Sequence, residues 1–277
     1  MRRVDSHQHF WRYLPAEYPW IGPGMEALRR DFLPADLQPL MQQSGIDSCI
    51  AVQARQHLAE TRWLLQLADN HPFIAGVVGW VDLRNGLVQE QLEEFCSHPR
   101  FCGVRHLVQD ERDDDFLLLE DFQRGVSLLS SSGLVYDILI RPRHLPIAIR
   151  FVDSFPDQLF VLDHLAKPSI GAEDRTEWEK GLLALGKRHN VCCKLSGMVT
   201  EADWSRWRTV DFRPFAEAAL EAFGPQRLLF GSDWPVCELA ASYQDVVALA
   251  ERLTVHLSEA ERSLIWGENA RRIYAVL

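Results

Sequence analysis

The chain has 277 residues, of which 47% are hydrophobic and 25% charged, and its formal net charge is −10. That composition is globular, long enough to bury a large core, and too acidic to favour nucleic acid or an anionic membrane surface as a partner. No apolar run approaches the roughly 20 residues of a membrane span, and the opening Met1-Arg2-Arg3-Val4-Asp5 lacks the apolar stretch of a secretion signal.

The first predicted strand, Val4–Phe10, carries His7 and His9. Alternate residues of a strand share a face, so this i, i+2 pair aims two imidazoles one way. The following Trp11–Arg30 segment holds Trp11, Tyr13, Tyr18, Pro19 and Trp20, an aromatic stretch suited to roofing a pocket or packing its rim. Leu33–Ser44 reads as a helix through Leu33, Leu37, Leu40 and Met41, stopped by Gly45. A strand over Ser48–Gln53 precedes a helix over Ala59–His71, which Pro72 ends. Then come strand Ile74–Leu83 and helix Leu87–Cys96, strand Gly103–Val108 and helix Glu120–Ser131, strand Val135–Ile140 and helix Leu145–Phe155. Strand Leu159–His164 and helix Trp178–His189 follow. Strand Val191–Ser196 leads into a second aromatic insertion, Glu201–Asp211 with Trp204 and Trp207, and helix Phe212–Phe223. Strand Leu228–Asp233 and helix Tyr243–Leu253 close the series.

The strands are short and apolar, as in a parallel sheet buried on both faces. Eight strands, each followed by a helix, predict an α/β fold, a (β/α)8 TIM barrel spanning residues 1–277 as a single domain. An open doubly wound sheet is the alternative, but it would want a glycine fingerprint after its first strand, and none is there. The six cysteines (Cys49, Cys96, Cys102, Cys192, Cys193 and Cys237) show no framework spacing, which fits free thiols in a reducing cytoplasm. The sequence leaves a homo-oligomer open.

Polar residues recur at the C-terminal ends of these strands, where barrel enzymes place their sites. Strand one offers His7 and His9, strand four Arg105 and His106, and strand five Asp137. Strand six ends in Asp163-His164-Leu165-Ala166-Lys167-Pro168, strand seven carries Lys194, and strand eight ends in Gly231-Ser232-Asp233-Trp234-Pro235. Polar groups inside apolar strands are costly unless paired or working. Taken singly, His106 reads equally well as a core histidine, Lys194 as the partner of a barrel carboxylate and Asp137 as structural. His164 and Asp233 carry the stronger functional reading.

The segments Asp5-Ser6-His7-Gln8-His9, Asp163-His164 and Gly231-Ser232-Asp233-Trp234-Pro235 resemble the amidohydrolase superfamily. Tyr18-Pro19-Trp20, Phe32-Leu33-Pro34, Gly103-Val104-Arg105 and Lys194-Leu195-Ser196-Gly197 narrow the resemblance to its metal-optional, lactone-hydrolysing branch of sugar-acid lactonases. The resemblance implies hydrolysis of a small sugar-acid lactone to the open-chain aldonate in carbohydrate metabolism, of the kind that degrades L-fucose. It implies one divalent metal, zinc first, on His7, His9, Asp233 and His164, which the reaction need not require. Two departures stand out: strand four has Arg105 and His106 where many members carry a bridging carboxylated lysine, and strand five has Tyr136-Asp137-Ile138 where many carry histidine.

On this basis Asp233 is expected to act as general base, with His164 and His106 as further catalytic groups. Trp20, Arg105, Asp137 and Lys194 are expected to bind substrate. Alternatives are a lactonase of 2-pyrone-4,6-dicarboxylate, where Arg105, Arg141 and Lys194 would face carboxylates, a metal-dependent amidohydrolase or decarboxylase on the same barrel, and a sugar-binding barrel without catalysis.

Overall fold

The structure is a computed structural model and describes residues 2–172 and 174–276. Its strands are Val4–Gln8 (β1), Ser48–Val52 (β2), Ile74–Gly79 (β3), Phe101–His106 (β4), Val135–Ile138 (β5), Phe160–Leu162 (β6), Val191–Leu195 (β7) and Leu228–Phe230 (β8), hydrogen-bonded in chain order. Every neighbouring pair is parallel. The ring closes where the chain past β8 meets β1. Asp233 N–H donates to the His7 carbonyl at 2.8 Å, and His9 N–H donates to the Trp234 carbonyl at 2.7 Å.

The helices around the ring are Pro34–Gln43 (α1), Leu58–Asn70 (α2), Val88–Cys96 (α3), Glu120–Val126 (α4), Leu145–Asp153 (α5), Thr176–Gly186 (α6), Thr209–Phe223 (α7) and Tyr243–Thr254 (α8). The result is a (β/α)8 barrel. Two short helices, Glu259–Ser263 (α9) and Asn269–Ile273 (α10), follow; the apolar spacing of the sequence had not marked them. Among the described residues no helix is long and apolar enough to cross a membrane.

Inside the barrel, Val4, Ile50, Val52, Val78, Val161 and Leu229 form one apolar cluster with Ala270, Ile273 and Tyr274 from the tail. The tail therefore packs on the inward-facing strand residues and fills the base. Burying one such aliphatic side chain stabilises by roughly 1.5–3 kcal/mol. A well-filled base lets the mouth carry strained backbone.

That strain is explicit after β6 and β8. His164, Leu165, Ala166 and Lys167 have φ of 53°, 54°, 59° and 53°, a left-handed turn built without glycine. Such residues cost roughly 1–2 kcal/mol each. The turn is held by Trp178, whose indole N–H donates to the Leu165 carbonyl at 2.7 Å, and by a Lys167–Glu201 ion pair at 3.3 Å. Asp233 also has positive φ, 60°. These turns are why β6 and β8 stop at Leu162 and Phe230, short of the His164 and Asp233 ends that the apolar pattern predicts.

Candidate active site

The pairing of β1 with β2 slips register between Asp5 and Gln8. Val4 belongs to the barrel interior, and the slip lets the odd-numbered His7 and His9 also face inward. Their Nε2 atoms stand 3.2 Å apart. Asp5 pins this bend from behind: its carboxylate accepts from His7 N–H at 3.1 Å, Ser232 N–H at 2.8 Å and the Tyr243 hydroxyl at 3.1 Å. One buried side chain thus ties the backbone of His7 to that of the Asp233 turn. Burial pushes the Asp5 carboxyl up to about 6 despite these bonds.

Asp233 Oδ1 lies 3.4 Å from His9 Nε2, 3.7 Å from His7 Nε2 and 3.7 Å from His164 Nε2. The structure thereby brings residues 7, 9, 164 and 233, from opposite ends of the chain, to one point. Two glycines make room: a Cβ on Gly197 would fall 2.5 Å from His164 Nδ1, and one on Gly231 2.7 Å from His7 Cβ.

All four groups are almost completely buried. Burial keeps the imidazoles neutral, holding His7 and His9 below the usual range and His164 at about 4. Burial alone would raise Asp233, but charge on His164, a hydrogen bond from His9 and charge on His7 pull the other way as those rings take up protons, so the group stands as carboxylate below its ordinary range. His9 Nδ1 sits 2.8 Å from the Val52 carbonyl, which can only accept, so the neutral ring directs a lone pair from Nε2. His164 Nδ1 is 2.8 Å from Ser196 Oγ.

This donor set fits a divalent ion. Ligands in a tetrahedron at roughly 2.0–2.2 Å from zinc stand about 3.4 Å from one another; Asp233 lies 3.4–3.7 Å from each imidazole and His7 3.2 Å from His9, whereas His9 falls outside the compact group that holds His164. His7, His164 and Asp233 offer ligand atoms all within 4.8 Å of one another.

Beneath His7 lies a second charged cluster. Lys194 Nζ is 2.5 Å from Asp137 Oδ2, 3.0 Å from Asp163 Oδ1 and 3.2 Å from His7 Nδ1. The Tyr274 hydroxyl donates to Asp137 Oδ1 at 2.7 Å, linking the C-terminal tail to the site. Arg105 Nη1 donates to Asp163 Oδ2 at 3.0 Å and stands 3.2 Å from His7 Nε2, while its Nη2 bonds the Gln53 carbonyl. Burial opposes every one of these charges. Lys194, then His7 and Arg105, hold Asp163 well below the usual carboxylate range, and Asp137 and Asp163 hold Lys194 above its own.

Above the four donors opens a cavity of about 260 Å³, to which His9, His164, Asp233, Arg105, Arg141 and Trp20 all contribute. Trp20 donates its indole N–H to the Ala54 carbonyl at 3.1 Å, and its ring meets Trp11 edge-on at 5.6 Å. The first aromatic insertion is therefore both packing and wall: Trp11 is fully buried, and Trp20 lines the cavity. From the second insertion, Trp204 also lines it.

Three residues expected at the site stand elsewhere. His106 follows Arg105 on β4, and successive side chains of a strand point to opposite faces. With Arg105 inward, His106 faces the helices, stacked on Phe116 at 4.8 Å and bonded to Glu111 at 2.7 Å and Trp80 at 3.3 Å. It does not reach the reacting centre. Asp137 and Lys194, expected to grip substrate, are fully buried in mutual contact under His7 and do not line the cavity. Sequence reasoning passed over Asp163, Gln53 and Tyr274 as partners. Asp163 was reachable, since it adjoins His164 in a segment already singled out.

An inward ring of imidazole and carboxylate stands at the C-terminal mouth of eight parallel strands, where α/β-barrel enzymes hold their active sites. The sequence profile of the amidohydrolase family matches residues 4–276, and the chain belongs to that family. It is 48% identical to an L-fucono-1,5-lactonase of Burkholderia multivorans, over 99% of this chain and 96% of the relative. It is 34% identical to an L-fucono-1,5-lactonase of Burkholderia ambifaria, again over 99% and 96%. A crystal structure of an amidohydrolase from Burkholderia multivorans with bound zinc superposes with a TM-score of 0.96, at 48% identity and over the whole of both chains.

Proposed function

We propose that this hydrolase, acting through one barrel domain over residues 1–277, opens a sugar-acid lactone of the L-fucono-1,5-lactone type to the open-chain aldonate. The observation that carries this reading is the convergence of one carboxylate and three neutral imidazoles on the floor of a cavity of about 260 Å³. That volume lies just below the roughly 300–1,000 Å³ of drug-sized pockets, which suits a single sugar ring. The two relatives named as L-fucono-1,5-lactonases add the substrate class.

In this mechanism Asp233 takes a proton from water as the oxygen attacks the lactone carbonyl. Arg105, whose Nε is buried without a hydrogen-bond partner among the described residues, stabilises the oxyanion from the cavity wall. His164, oriented by Ser196, holds the water against Asp233. As the acyl C–O bond breaks, Asp233 hands its proton to the departing ring oxygen, and the new carboxylic acid ionises, releasing one proton to solvent. Trp20 offers an apolar wall to the sugar face. A zinc ion, when held by His7, His9, His164 and Asp233, would supply Lewis-acid polarisation of the carbonyl.

A dicarboxylate lactone is the weaker reading. It would add two permanent carboxylates to the oxyanion that Arg105 serves, while Lys194 is paired with Asp137 and Asp163 away from the cavity and Lys167 with Glu201, which leaves the exposed Arg141. The test is proton release from a panel of 1,4- and 1,5-aldonolactones and 2-pyrone-4,6-dicarboxylate, with and without chelator. Release above the spontaneous rate with an L-fuconolactone supports the reading. A preference for the pyrone, or no release with any lactone, refutes it.

A further inference from the structure

Arg105 is placed where a metal site would least want it. Its Nη1 lies 3.2 Å from His7 Nε2, the nitrogen that points at His9 and Asp233, and its side chain lines the cavity. On the opposite edge of the ring, Lys194 Nζ lies 3.2 Å from His7 Nδ1. His7 therefore carries a cation against each ring nitrogen, with Asp163 Oδ1 also 3.3 Å from Nδ1. The two cations are balanced by Asp137 and Asp163, leaving the lower cluster neutral with His7 uncharged. A divalent ion joining His7, His9, His164 and Asp233 would sit beside a guanidinium with little water between, where like charges repel most strongly.

We infer that Arg105 is an affinity-setting residue: its guanidinium stands in for part of a metal's charge at the His7–His9–Asp233 face and keeps divalent-metal binding weak and reversible. The inference rests on the ligand reading of the four donors and is independent of which lactone is the substrate. Arg105 is anchored for this. Asp163 fixes Nη1, the Gln53 carbonyl holds Nη2, and the Gln53 amide donates to the Arg105 carbonyl at 3.2 Å. A mobile cation would withdraw when a metal arrived, and this one is tied on both forks.

The experiment is zinc affinity measured by competition with a chromophoric chelator, on purified full-length protein, with near-ultraviolet circular dichroism to verify the fold. Arg105→Gln should tighten zinc binding at least about tenfold, whereas Arg141→Gln, which removes the same charge from the exposed rim, should change it less than about threefold. Unchanged or weaker binding in folded Arg105→Gln overturns the inference, as does an equal gain in Arg141→Gln. Should Arg105→Gln fail to fold, Arg105→Lys decides: its shorter side chain keeps the charge near Asp163 but draws it back from His7. It should tighten zinc binding by a smaller factor, and no gain overturns the inference. His164→Ala separates the ligand reading from the role of Arg105. If it leaves zinc affinity unchanged, the ligand reading itself fails. If it weakens zinc binding while Arg105 variants do nothing, only the role of Arg105 fails.

Discussion

Two ionisable clusters lie one above the other in this barrel, equally buried and differently made. The lower one, Asp137, Asp163, Lys194 and Arg105, is matched charge for charge, and each ammonium or guanidinium meets a carboxylate at 2.5–3.0 Å. The upper one, His7, His9, His164 and Asp233, crowds acceptors together: one carboxylate faces three imidazoles that burial keeps neutral. Buried charge by itself does not mark a reacting centre. Converging lone pairs with an open cavity above them do, because only a substrate, a proton or a metal can complete them.

Mutations should separate the two layers. Asp233→Asn keeps the shape of the upper cluster and removes its base, so lactone turnover should fall about 10³-fold, equivalent to about 4 kcal/mol, with the melting temperature almost unchanged. Steady-state proton release checks this, and near-normal turnover in folded protein would break the contrast. Lys194→Met strikes the lower cluster and leaves Asp137 and Asp163 facing each other without their cation. Stability should drop by at least about 3 kcal/mol, read by urea denaturation. Gly197→Ala acts on the upper layer through packing alone, driving a methyl into the His164 ring at a position of φ +64°. It should cost about 10²-fold in kcat/KM through displacement of His164, and wild-type kinetics would show that the ring's position is not critical.

The last effect concerns the wall. Glu60 accepts from the N–H groups of Ala54 and Arg55 at 3.1 and 2.8 Å and fixes the loop on which Trp20 rests. Burial pushes its carboxyl from the usual 4.5 up to about 7. The folded state thus binds more protons than the unfolded between these values. The contribution of this group to stability is full below pH 4.5 and is lost as pH rises through about 7. Glu60→Gln should flatten that pH dependence, seen by comparing urea midpoints of the two proteins on either side of the window.

The barrel was legible because its strands are short apolar runs at regular spacing, each followed by a helical pattern with a glycine or proline stop. The same periodicity identified His7 and His9 as neighbours, and the register slip after Asp5 turned both inward. Applied strictly, it would also have turned His106 outward once Arg105 was placed inside, since one residue along a strand reverses the face. What local pattern could not give was depth. Asp137 and Lys194 sit one layer below the mouth, and only the tail, through Tyr274, shows that this layer belongs to the base of the barrel. The left-handed turn at residues 164–167 was hidden for a related reason: without a glycine it has no local signature, and tertiary contacts from Trp178 and Glu201 impose it.

The most direct measurement is a crystal structure of the protein with L-fuconate bound, the product that the proposed function expects. The account predicts the freed ring hydroxyl of the product within hydrogen-bonding reach, about 3 Å, of Asp233, with the product carboxylate turned to Arg105. Product seated with its carboxylate away from Arg105 and no hydroxyl near Asp233, or bound outside the cavity altogether, would contradict it.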